Sequence, residues 1–170
     1  DVEVQDISGE TGQLSLVGPR SSFVLDQLLG VGELNPYECL SMPVSGITIT
    51  AIRSEFLEQP SYDLIMPVQS LQAVNNMLLT IGGAEISSIS KDTLNLVRVE
   101  RGIPESGFEL TEEFNPLEVG LENHISFNKG CYVGQEVVAR LNTYDKVKRR
   151  LVGLTWHDET IPEPGANLFY

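Results

Sequence analysis

Between residues 13 and 88 the spacing of apolar side chains switches from a period of two to a period near 3.6 and back, twice over, and that order restricts the chain to few architectures. "QLSLVG" (13–18) alternates polar and apolar residues as a half-buried strand does. Pro19 suits a first helical turn, and "SSFVLDQLLG" sets Phe23, Leu25 and Leu28 at helical spacing before Gly30 as a stop. "GITITAIRS" (46–54) is β-branched and alternating, hence a strand, and "YDLIMP" (62–67) is a second after a turn-rich piece through Pro60. "VQSLQAVNNMLLTIGG" carries Leu71, Val74, Leu78 and Ile81 on one stripe and ends in Gly82-Gly83, a helix with a glycine stop. "AEISSIS" (84–90) reads as a last strand. The order strand, helix, strand, strand, helix, strand is the split β-α-β-β-α-β pattern of a ferredoxin-like module, so the expected class is α+β.

Farther along, "SKDTLNLVRVERG" (90–102) predicts a helix with Ser90 as N-cap and Gly102 as terminator. Residues 103–124 are rich in Gly and Pro, carry five glutamates from Glu109 to Glu122, and read as a surface loop. "VVAR" opens a short helix, and "VKRRLVGLTW" (147–156) predicts a strand that begins a further unit. Three parts are therefore expected: 1–89, 90–145 and 146–170. The first residues resemble neither an initiator nor a targeting peptide, and the last fall inside an apparent strand, so the chain reads as a segment of something longer.

A chain of 170 residues has room for a real core. Its net charge of −13 argues against binding duplex nucleic acid through phosphates, which needs a basic face. The charge is uneven: Arg140, Lys146, Lys148, Arg149 and Arg150 are five of the eleven Lys and Arg residues, either a solvated strand edge or a small basic patch for an anionic ligand. Two cysteines are too few for a disulfide framework, and no C-x-x-C or paired His points to a metal. No apolar run is long enough for a membrane span and no secretory signal opens the chain, so an intracellular, membrane-free protein is expected.

The stretch "FNKGCYVGQEVVARL" (127–141) concentrates the chemistry. Lys129 places a cation two residues from Cys131, and the following helix N-terminus also favours negative charge, so both features favour a thiolate. Against this, a lone cysteine is more often a small buried hydrophobe, Lys129 a solvated side chain, and Glu136 an acid that complements a helix dipole. Glu100 stands near the end of a predicted helix, where an acid opposes the dipole unless it has a partner; Arg98 or Arg101 is the plain candidate, a ligand the other. Cys39 is expected to pack in the interior.

"KGCYVGQE" resembles the signature of the YgfZ-type folate-binding proteins, relatives of the glycine-cleavage T-protein (aminomethyltransferase). The resemblance extends to "QDISGETGQLSLVGPRSSFVLDQLL" and to "SKDTLNLVRVERGIPESGFELTEEFNPLEVGL", which together span most of the chain. It implies that 1–89 is a ferredoxin-like middle module with its lead-in strand. On the same ground 90–145 is the C-terminal part of a folate-binding core, and 146–170 is the start of a C-terminal β-barrel. It implies tetrahydrofolate as cofactor, and iron–sulfur enzymes or their assembly factors as partners. It gives Glu100 the role of holding the pterin ring. Lys129 and Cys131 become the functional pair, and Gly130, Tyr132, Gly134, Gln135 and Glu136 line the cofactor. The T-protein pattern has no thiol at Cys131. Arg53 aligns loosely with an arginine of the T-protein, but the "GYTGE" that should follow it is absent. The expected location is bacterial cytoplasm, or else plastid or mitochondrion. Three functions compete: iron–sulfur maintenance with folate, an aminomethyltransferase, and a non-catalytic interaction module with an acidic docking surface.

Overall fold

The computed structural model describes residues 2–54, 59–144, 146–155, 157, 162–163 and 165–167. The chain divides into two compact units, 1–90 and 91–170.

In the first unit, strands β1 (Thr11–Val17), β2 (Cys39–Val44), β3 (Ile47–Ser54) and β4 (Ser61–Pro67) form one antiparallel sheet in the order β1-β4-β3-β2. Helix α1 (Ser21–Leu29) follows β1, and α2 (Leu71–Gly82) follows β4. Period-two alternation sends Leu14, Leu16, Ile49, Ala51, Leu64 and Met66 to one sheet face, and both helices cover that face. Helix α1 contributes Val24, Leu25, Leu28 and Leu29; α2 contributes Val74 and Leu78. Gly12 leaves room for this packing, since a Cβ there would come within 2.5 Å of the Leu71 side chain. The opposite face is polar, with Ser15 Oγ donating to Asp63 at 2.6 Å and Ser41 and Thr50 hydroxyls 2.8 Å apart.

Three details depart from the sequence reading. Phe23 is about half exposed, and the buried stripe of α1 runs through Val24 and Leu29 instead. Residues 39–44, to which the sequence reading assigns no element, form strand β2; Pro43 is tolerated there because β2 is an edge strand. The hairpin to β3 turns through Ser45 (φ 51°) and Gly46 (φ 81°), a two-residue loop with both φ positive that matches the strand twist. Residues 84–90, expected as a closing strand, join no ladder: 83–85 form a 3₁₀ turn and 86–90 are irregular. Ile86 and Ile89 lie three apart, which is no strand alternation, and Ile86 folds against Gly82 and the core. Among the described residues the order is thus β-α-β-β-β-α, not β-α-β-β-α-β.

The second unit contains helices α3 (Lys91–Glu100) and α4 (Gln135–Thr143). Among its described residues the buried apolar side chains are Leu117 and Val119, inside the stretch expected to be a plain surface loop. The described part of 147–156 forms no strand; it is tied to the preceding loop by Leu151 N–H donating to the Glu118 carbonyl at 2.8 Å. No helix among the described residues is long and apolar enough to cross a membrane.

Candidate functional site

Residues 127–134 form an irregular loop that enters α4 through Gly134, whose φ of 90° a side chain would strain. Gln135 closes the loop: Tyr132 N–H donates to its Oε1 at 3.2 Å, and its own N–H donates to the Tyr132 carbonyl at 3.3 Å. The Cys131 thiol is exposed, and no hydrogen bond among the described residues reaches it. The Lys129 ammonium lies 4.6 Å from the centroid of the Tyr132 ring, so the cation expected beside the thiol is held on the aromatic neighbour of Cys131. Around Gly130 a Cβ would meet nothing within 4 Å, leaving the backbone open to approach. Glu136 stands exposed in the first turn of α4, where its charge complements the helix dipole. The loop therefore presents a thiol, an ammonium and a phenol to solvent.

Glu100 is the exposed last residue of α3. The helix stops there because Gly102 takes φ 65° and Ile103 N–H returns to the Arg98 carbonyl at 2.8 Å. Arg98, one of the two arginines expected to pair with Glu100, is buried and engaged elsewhere. Its Nε donates to Asn95 at 2.6 Å, and its terminal nitrogen reaches the Ile103 carbonyl and Glu109, both at 3.2 Å. Glu105 Oε2 lies 2.8 Å from the same Nε but makes no hydrogen bond, because that N–H points at Asn95; the pair is electrostatic only. The Arg98 guanidinium also covers Phe108 at 5.4 Å. This network folds 101–110 back on α3 and leaves the Glu100 carboxylate without Arg98. The sequence carries one faint sign of this network, a charged residue between Val97 and Val99 with glutamates 7 and 11 positions on.

Elsewhere, Cys39 is exposed at the start of β2, contrary to the expectation of interior packing, because its position alternates to the uncovered sheet face. Arg53 is nearly enclosed and bonded to Glu33 at 2.8 Å and to the Tyr62 hydroxyl at 2.9 Å; chiefly the Glu33 bond raises its pKa further. Tyr62 in turn meets Ser22 at 2.9 Å, so Arg53 belongs to a structural chain of polar groups. A cleft of about 310 Å³ near the end of β1 is lined by Leu16, Phe23, Val24 and Ile86, with an Arg20–Glu85 ion pair beside it. Neither Glu100 nor any residue of 129–136 lines the clefts described in either unit. Among the described residues no group of three or more His, Cys, Asp or Glu is placed to hold a metal ion.

The profile of the GCVT N-terminal domain matches residues 1–129 of this 170-residue chain, and the chain belongs to that family, the T-protein (aminomethyltransferase) superfamily. A chloroplastic protein of Arabidopsis thaliana named as a transferase is 36% identical over 170 residues, which cover 98% of this chain and 38% of that protein. An aminomethyltransferase of Thermoanaerobacter sp. (strain X514) is 28% identical over 173 residues, covering 97% of this chain and 46% of the enzyme. The mitochondrial dimethylglycine dehydrogenase of Homo sapiens is 29% identical over 177 residues, covering all of this chain and 20% of that protein. The chain thus spans less than half the length of each of these relatives.

Proposed function

We propose that the chain is part of a YgfZ-type, tetrahydrofolate-binding protein that supports the assembly or repair of iron–sulfur enzymes through Cys131 and Lys129. The observation that carries the reading is the "KGCYVGQE" motif with its thiol on the outside of the loop, open to a ligand or client. Family membership supports the folate part. The residues present fit a pterin: Glu100 is exposed and not consumed by Arg98, and a carboxylate accepts two parallel hydrogen bonds from a ring N–H and the adjacent amino group. Tyr132, Gly130, Gly134, Gln135 and Glu136 shape the loop against which the cofactor would lie. When bound, the folate supplies a carrier for a one-carbon unit. Lys129, held on the ring of Tyr132, supplies a charge in the same loop, and Cys131 offers the reactive atom. The same reading makes 1–89 the counterpart of a ferredoxin-like middle module with its lead-in strand, here with the additional edge strand β2 and no strand after α2 among the described residues, and residues 146–170 the start of a C-terminal barrel. Plastid or mitochondrial residence is favoured by the chloroplastic and mitochondrial relatives.

The test is complementation. Cys131→Ala in the protein should fail to restore iron–sulfur enzyme activity to cells lacking it; full restoration refutes the reading. Glu100→Gln should weaken tetrahydrofolate binding by about tenfold or more in a calorimetric titration, since it removes a charge-assisted pair.

A second reading, an aminomethyltransferase, is favoured by the aminomethyltransferase relatives and by Glu100, and opposed by the thiol and by the missing "GYTGE". Robust release of methylene-tetrahydrofolate from a loaded lipoyl carrier would select it. Absence of any folate binding would leave only a non-catalytic interaction module.

A further inference from the structure

The second unit contains a cleft of about 340 Å³ whose walls are Phe108, Phe114, Val119 and Leu151. Both rings are set by cations: the Arg98 guanidinium lies 5.4 Å from the Phe108 centroid and that of Arg149 lies 5.2 Å from Phe114. Four charged residues border the cleft, and three of them are already matched. Glu109 accepts from Arg98 at 3.2 Å, while Glu118 holds Arg149 in a two-point grip at 3.0 and 3.1 Å. The fourth, Arg150, is exposed and has no ion-pair partner among the described residues. A chain of net charge −13 has thus left one uncompensated guanidinium at an apolar, aromatic-walled cleft, within the basic run 146–150.

We propose that this cleft binds a small ligand with a flat apolar body and one anionic group, carboxylate or phosphate. The body packs against the phenylalanine rings, where aromatic surfaces stack offset or edge-to-face. The anion takes Arg150, whose planar fork matches either oxyanion and whose charge-assisted hydrogen bonds are stronger at an apolar wall than in open water. Arg149 cannot serve in that role without releasing Glu118. The proposal is independent of the folate reading, because the cleft includes neither Glu100 nor any residue of 127–136.

Titration of the protein with benzoate, phenyl phosphate and benzyl alcohol, followed by NMR shifts of the 108–119 and 149–151 amides, tests it. Saturable binding of at least one anion is expected, with benzyl alcohol weaker by about tenfold or more. The ratio of benzoate to phenyl phosphate affinity identifies the anion. Arg150→Gln, an exposed change that leaves the fold intact, should weaken the anion about tenfold. Leu151→Trp, which fills the cleft, should abolish binding while tetrahydrofolate affinity is unchanged. No saturation by either anion up to about 10 mM, equal binding of benzyl alcohol, or an unaltered Arg150→Gln affinity overturns the proposal.

Discussion

Arg98 makes three side-chain hydrogen bonds, and its burial demands them, since a guanidinium removed from water must be matched by acceptors. Arg98→Ala would leave Glu105 and Glu109 without their cation. Each carboxylate is about a third exposed, so water softens the penalty below that of a fully buried pair, and a loss of roughly 2 kcal/mol in urea unfolding is expected. Arg98→Lys should recover only part of it, because one ammonium cannot replace a fork that serves Asn95, Ile103 and Glu109 together. Unchanged stability of the alanine variant would remove this account. Sequence chemistry read Glu100 and Cys131 as unusual but could not see Arg98, whose partners lie in a stretch that looks like plain acidic loop.

Elements are held by a few specific fits. Gly12 in β1 faces Leu71 at the start of α2, and Gly12→Ala should cost about 1–3 kcal/mol by overpacking, read as a lowered denaturant midpoint with unchanged slope. The segment 149–151 is pinned to the loop before it by the Arg149–Glu118 pair, and the Glu118 carboxyl is held below its usual range, first by Arg149 and then by the Asn115 N–H. With a depressed folded pKa, the unfolded chain binds more protons at intermediate pH. This contribution is therefore complete above the unfolded value of roughly 4.3 and disappears as pH falls through the lower folded value. Wild type should accordingly lose more stability than Glu118→Gln on acidification from neutral pH to about 3. Parallel thermal-melt profiles of the two would discard the pairing. β2 shows what element reading lacks: a proline within a strand argues against it until the topology shows that the strand is at an edge.

The described residues of the two units differ in how much apolar surface they bury. The first has a continuous core around Leu25, Ile49, Leu64 and Val74; the second buries Leu117 and Val119. Amides of β3 and β4, inside that sheet, should exchange slowest with solvent, and those of 122–134 should exchange within the earliest time points. Leu25→Ala, at a fully buried site, should cost about 2–5 kcal/mol and speed exchange throughout the first unit. What residue order alone determined is the local: where the helices run and most of the residues on their buried stripes, Leu25, Leu28, Val74 and Leu78 among them. Period and turn chemistry act over a few residues, so they can be read without a fold. Strand partnership, the edge that admits Pro43, the burial of Arg98 and the cleft closed by Leu151 against Glu118 depend on residues far apart in sequence. Those pairings follow from burying surface in three dimensions, and only the tertiary structure decided them.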